Sequence, residues 1–137
     1  MKKIENILNN GIPRYGNRYR VFIEHLRSKD KTKTILYSIA PGATLYISAV
    51  TLYELYMGAT TDEKKKDIQI LTEDITILPF NNEVAIKAAE IYHELRKANQ
   101  LIEFRDIFIG ATCLVYNIPL KTTNTKHFNR ITGISLS

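Results

Sequence analysis

The sequence predicts a single α/β domain, a three-layer α/β/α sandwich with a mostly parallel sheet, and three observations carry that prediction. Short apolar runs of strand character, at residues 45–48, 75–78 and 120–123, alternate with segments of helical pattern. Such alternation implies parallel pairing through right-handed crossovers, which put helices on both faces of the sheet. Val84, Ala88, Ile91 and Leu95 are spaced four, three and four, the signature of an amphipathic helix over 83–99. A length of 137 residues with 45% hydrophobic content fits one compact core and not two.

Taken in order, residues 1–20 show neither strand alternation nor a sustained helical stripe, and Gly11, Pro13 and Gly16 punctuate them. This segment, MKKIENILNNGIPRYGNRYR, has charges but no apolar stretch of the kind a signal peptide needs. The pattern changes at Val21. Val21, Phe22, Ile23 and Leu26 are expected to form the first helical turns, a second helix surrounds residues 35–39, and Pro41-Gly42 ends it. Residues 45–48 form a strand whose last residue, Ser48, caps a helix from about Val50. In that helix Thr51, Glu54 and Gly58 share one face while Leu52, Leu55, Tyr56 and Ala59 cover the others.

Residues 61–72 form a charged helix with Ile68 and Leu71 as its buried contacts, and Lys64, Lys65 and Lys66 are a solvated face. A strand at 75–78 closes on Pro79, and in the amphipathic helix that follows His93 falls at the surface. The stretch from Leu101 to Phe128, LIEFRDIFIGATCLVYNIPLKTTNTKHF, organises the rest. Glu103 and Asp106 open a buried helix that runs through 107–116, where Gly110 and Ala111 allow close approach. Asn117 and Pro119 break it, and the strand at 120–123 closes on Thr122, Thr123 and Asn124. Phe128 and Ile131 anchor a short helix, and residues 134–136 add a final strand.

Composition bounds the function. Nineteen Lys and Arg against fourteen Asp and Glu give a net charge of +5, a modest excess that favours polyanions without specifying one. Nothing approaches the roughly 20 apolar residues that span a bilayer. The single cysteine, Cys113, lies in the apolar helix without a partner for a disulfide or zinc cluster, consistent with a reducing cytoplasm.

The order acid, apolar helix, turn with Pro, strand, Thr-x-Asn and His-Phe resembles the C-terminal half of PIN-domain ribonucleases, in particular VapC-type toxins of toxin–antitoxin pairs. The resemblance extends back over SAVTLYELYMGA at residues 48–59 and covers roughly 21–137. It implies a metal-dependent endoribonuclease that hydrolyses RNA phosphodiesters with Mg²⁺ or Mn²⁺. A cognate small antitoxin and a homodimer follow from the same resemblance, and the lack of a bilayer-spanning stretch leaves no membrane association expected. By the same carry-over Glu54 and Asp106 are catalytic metal ligands, with Glu103 a further acid of the metal site. Asn124 stands where relatives carry Asp or Asn and is assigned to orient water or touch phosphate. Thr122 and His127 are assigned to substrate binding, although a buried histidine with a structural hydrogen bond describes His127 equally well. For Glu54 and Asp106, 52 positions apart, to share one hydrated Mg²⁺, their carboxylates must lie within roughly 10 Å.

The departure is at the start. PIN proteins open on a hydrophobic strand ending in Asp, but here Arg18, Tyr19 and Arg20 precede Val21. The expectation is therefore a domain at 21–137 behind an aberrant segment at 1–20, with no proper central strand and with Arg18 and Arg20 bringing positive charge to the cleft. Two readings result: an active endoribonuclease toxin, or a catalytically impaired PIN-like domain that keeps an antitoxin-binding or dimerisation surface. A more remote third is an unrelated basic α/β domain that binds nucleic acid without cleaving it.

The codons offer a test of the departure. Residues 15–19 can be encoded as TAT GGT AAT AGA TAC, and one base later the same run reads Met-Val-Ile-Asp-Thr, a hydrophobic start with the absent Asp-Thr. Sequencing the locus is expected to find those codons and a frame change near Arg20. Codons that spell no hydrophobic run plus Asp in the neighbouring frame refute the idea.

Overall fold

The computed structural model describes residues 20–23, 44–122 and 124–136 of the chain. Among them four strands form one sheet in the order β3-β2-β1-β4, with β1 at Arg20–Ile23, β2 at Thr44–Ser48, β3 at Thr76–Leu78 and β4 at Leu120–Lys121. Every pair is parallel: Phe22 faces Tyr46 on one side and Leu120 on the other, and Ile47 faces Ile77. The α/β class and parallel sheet read from the sequence are those of the structure.

Two expectations about the start of the domain are overturned. Residues 21–23 are a strand and not the first turns of a helix, and the sheet does have a central strand. A short apolar run cannot be assigned to helix or strand by periodicity alone. Here the run is Val-Phe-Ile, β-branched and aromatic, and it fills the slot between β2 and β4, where both backbone edges need ladder partners. The backbone of Arg20 pairs with Thr44 at the strands' N-terminal ends. Residues 1–19, including Arg18, and the helix expected at 35–39 lie outside the described residues.

The helices follow the sequence closely. α1, Ala49–Met57, starts at Ser48, and α2, Asp62–Thr72, starts at Thr61, whose hydroxyl accepts from Lys64 N at 3.2 Å. Nothing in α2 is fully buried, and Ile68 and Leu71 are only half-buried, so this helix is a solvated crossover lying on the domain. α3, Asn82–Lys97, is capped by Asn81, whose side chain accepts from Val84 N at 3.0 Å. Its stripe of Val84, Ala88, Ile91 and Leu95 is buried, and His93 is exposed.

α4, Phe104–Tyr116, buries Ile107, Ile109, Ala111, Thr112 and Cys113, and packs along α3. It ends at Asn117, a left-handed residue with φ 53°. The short α5, Thr125–Phe128, sets Phe128 into the same core, followed by Ile131. The strand expected at 134–136 reduces to one parallel bridge between Leu120 and Leu136, with Leu120 N donating to the Ser135 carbonyl at 2.7 Å. Gly133, φ 86°, makes the turn that leads into it.

Burial pushes the Cys113 thiol far above its ordinary value, since no water reaches a thiolate there, so it stays protonated and inert. Among the described residues no helix is long and apolar enough to cross a membrane.

The strand order has a consequence for where a ligand goes. The chain steps outward from β1 to β2 to β3, then returns to place β4 on the other side of β1. With right-handed crossovers this reversal puts the connecting helices on opposite faces and opens a crevice at the strands' C-terminal ends beside β1.

Gly110 is where α4 meets the segment after α5 most tightly: a Cβ there would stand 2.5 Å from Ile131 Cδ1. Gly110→Ala is therefore expected to destabilise by about 1–3 kcal/mol through overpacking, offset in part by better helix propensity. Ile131→Val removes the clashing methyl, so it should cost less in the Gly110→Ala background than in the wild type. Urea unfolding of the four chains measures this, and strict additivity would sink the contact.

Candidate active site

The crevice beside β1 is built from three chain segments, each fixed by its own cap or turn. Ser48, buried at the end of β2, accepts from Thr51 N at 3.0 Å and donates to Thr51 Oγ1 at 3.1 Å. This cap starts α1 directly at the sheet edge and fixes its phase, so that Glu54, one turn further along, faces α4. The second segment is the first turn of α4, carrying Arg105 and Asp106. Arg130 Nη1 donates to the carbonyls of Gln100 and Leu101, at 3.4 and 3.3 Å, and ties down the loop leading into it. The third is the turn after β4, where Thr122 Oγ1 accepts from Asn124 N at 3.0 Å.

These segments converge on Asp106, whose carboxylate is 1% exposed. Its Oδ1 accepts from Arg105 Nε and Nη2, both at 3.4 Å. The same guanidinium reaches across with Nη1 to Glu54 Oε2 at 3.1 Å. Glu54 and Asp106 are thus brought to one guanidinium, a separation inside the roughly 10 Å that one hydrated Mg²⁺ bridges. The other oxygen, Oδ2, faces Asn124 Nδ2 at 3.4 Å and His127 Nδ1 at 3.2 Å, and those two nitrogens are 2.9 Å apart. With Nδ1 bare, the two amide hydrogens of Asn124 serve Asp106 and His127, one each; with Nδ1 protonated, the imidazole itself donates to Asp106. In either state Oδ2 is held from the turn after β4, and Oδ1 by Arg105 of α4, whose guanidinium links on to Glu54 of α1.

The remaining assignments divide. Asn124 and His127 join Asp106, but the His127 side chain is 38% exposed, so it is not the buried histidine of the structural reading. Thr122 holds the turn that presents Asn124. Glu103 is exposed at the N-cap of α4 with no side-chain capping bond, and no contact joins it to Glu54 or Asp106 among the described residues. Its extended backbone, φ −63° and ψ 149°, lies outside the helical turn that aims Asp106 inward.

Arg105 was not foreseen. Its signal was present: an arginine in the first turn of a helix opposes the macrodipole, so it needs a carboxylate partner to be stable there. Two acids against one guanidinium leave one net negative charge among these three groups, with only oxygen donors on the acids. That is the chemistry of a hard-cation site, since Mg²⁺ uses one or two carboxylates and keeps several waters. Among the described residues no three His, Cys, Asp or Glu side chains gather as a metal cluster, so these residues supply a pair of carboxylates.

The sequence profile of the PIN domain matches residues 20–134. Ribonuclease VapC1 of Methanocaldococcus jannaschii is 32% identical over 90 residues, an alignment covering 66% of each protein, just under two thirds of the relative's length. Ribonuclease VapC of Rickettsia bellii is 38% identical over 93 residues, covering 63% of this chain and 69% of that one. In structure the chain is similar to VapBC-1 from nontypeable Haemophilus influenzae, with a TM-score of 0.69 and 25% identity over 88% of this chain and 96% of that one.

The Ser48 cap sets the phase of the helix that carries Glu54, and its loss orphans both Thr51 N and the buried Thr51 hydroxyl. Ser48→Ala is expected to lower unfolding free energy by about 1–2 kcal/mol. Chemical denaturation checks it, and a change within a few tenths would remove the cap from the account.

Proposed function

This chain belongs to the PIN-domain family, and from that membership together with the Glu54–Arg105–Asp106 constellation we propose that it is a metal-dependent endoribonuclease of the VapC type. The reading places the toxin in the cytoplasm, held by a small cognate antitoxin, as a homodimer. The observation that carries it is the pairing of Glu54 with Asp106, acids 52 positions apart that meet at the crevice the strand order opens.

Hydrolysis of a phosphodiester puts a water oxygen on phosphorus and breaks the bond to a ribose oxygen. One proton must leave the water and one must reach the leaving oxygen. Glu54 and Asp106 would hold Mg²⁺ or Mn²⁺, which supplies Lewis acidity toward the phosphoryl oxygens and lowers the pKa of water. Asn124, fixed by the Thr122 turn and by Asp106, presents an amide that orients water or phosphate. His127 is part exposed and keeps its ring edge within reach of a polyanion at the cleft mouth. Asp106 itself is too enclosed to contact bulk solvent, so its role is to hold and orient.

A second reading, a PIN domain impaired in catalysis that keeps its antitoxin or dimer surface, has two observations in its favour. Among the described residues the site offers two carboxylates and no third ligand of the His, Cys, Asp or Glu type, and a guanidinium already sits against both.

Incubation of the pure protein with single-stranded RNA and Mn²⁺ is expected to give cleavage that EDTA abolishes. Asp106→Asn and Glu54→Gln should each reduce the rate by at least about a hundredfold, since even outer-shell partners of a metal site cost 10–100-fold. Cleavage that survives EDTA or Asp106→Asn would refute the proposal. No cleavage by a folded chain that still binds its antitoxin would establish the impaired reading.

A further inference from the structure

Arg105 has no role in the chemistry above, yet it touches both acids. We propose that Arg105 is a resident counter-cation of the acidic pair, which a divalent cation must displace from Glu54 and Asp106, so that this arginine sets the metal concentration at which the site forms. The inference rests on the reading of Glu54 and Asp106 as metal ligands.

An ionised carboxylate that is 1% exposed needs a compensating positive charge or several donors. Arg105 is always protonated and its planar fork reaches two acids at once, with Nε and Nη2 on Asp106 Oδ1 at 3.4 Å and Nη1 on Glu54 Oε2 at 3.1 Å. It therefore does for the metal-free chain what the cation does for the loaded one.

The same arrangement makes the two cations compete. Arg105 lies on both carboxylates that would hold the metal, at Asp106 Oδ1 and Glu54 Oε2, and a divalent ion brought to the same acids would be repelled by the guanidinium. Arg105 can yield. Its contacts to Asp106 are long, its side chain is 20% exposed against 1% for Asp106, and its flexible stem lets the head swing toward water. The helix dipole also favours departure, because a positive charge in the first turn of α4 is on the wrong end. Asn124 and His127 engage the opposite oxygen, Oδ2, so Arg105 can leave Oδ1 without displacing them.

Mn²⁺ binding by calorimetry and thermal unfolding in EDTA, on wild type, Arg105→Gln and Arg105→Lys, test this. Arg105→Gln is expected to bind Mn²⁺ at least about tenfold more tightly, because one like-charge repulsion is removed. In EDTA the same variant should melt several degrees lower, with saturating Mn²⁺ closing most of the gap. Arg105→Lys, which keeps the charge, should restore wild-type affinity. A positioning role for Arg105, preorganising the acids for metal, predicts weaker binding in Arg105→Gln and would overturn the inference; so would unchanged affinity.

Wild-type protein gives a check that needs no variant. The Arg105 Nε–H resonance should shift in step with Mg²⁺ saturation, and a resonance that ignores bound metal overturns displacement. Failure of the underlying reading looks different: then neither wild type nor Arg105→Gln binds Mn²⁺ at all, and the counter-cation has nothing to compete with.

Discussion

A carboxylate removed from water must be compensated within the protein, and at Asp106 the compensation comes from both sides of the crevice. Arg105 engages Oδ1 and carries the link on to Glu54, while Asn124 and His127 engage Oδ2. Arg105 comes from the same turn of α4 as Asp106, Asn124 and His127 come from the turn after β4 and the start of α5, and α1 joins the network through the contact of Glu54 with Arg105. Local structure supplies that placement: the Ser48 cap for α1, the Arg130 contacts for the loop before α4, and the Thr122 turn for Asn124. Half-satisfied buried networks cost more than they contribute, which makes this one an all-or-none feature of the fold.

The sheet determines why the segments meet where they do. β1 is only four residues long, yet it is the strand on which the order reverses, flanked by β2 and β4. The end of β2 launches α1 and the end of β4 launches the Asn124 turn, on either side of that strand. The first turn of α4 lies between them, and the helix packs against α1, α3 and α5. Close packing along α4 is achieved with small residues, Gly110 and Ala111 on the inner side, and with Ile131 filling the space that a Cβ at Gly110 would take.

How much of this could be read from the sequence depends on whether the signal was periodic. The stripe of α3 was legible to the residue because four spaced apolar positions leave no other phase. The strands of β2, β3 and β4 were legible because turn residues or caps bound each one. β1 was misread as a helix: three apolar residues carry no period, and the pairing that makes them a strand is entirely long-range. At the site, Glu54 and Asp106 were found by their residue type in a family-like context. Glu103 shares that context but sits one residue outside the helix, and cap geometry alone decides that it faces solvent. Arg105 was passed over because an arginine among acids is ordinarily a surface ion pair. Its two partners are 51 positions apart in one case and adjacent in the other, which only the fold can bring together.

The overall charge gives the acidic crevice its setting. The chain carries +5, a balance that favours polyanions, while the paired acids would repel a phosphate brought close to them. On the proposed reading, attraction at long range and repulsion at the reacting position are reconciled by a cation on the acids when a phosphate arrives. A guanidinium does this with one positive charge and directional donors, and a divalent ion does it with two and with exchangeable waters. The first suits a resting site, because it quiets the buried carboxylate without activating water. The second suits a working one, because it adds the Lewis acidity that the side chains here lack. Under the proposed exchange the same two carboxylates serve both states, because Arg105 engages Asp106 through Oδ1 while Asn124 and His127 engage it through Oδ2.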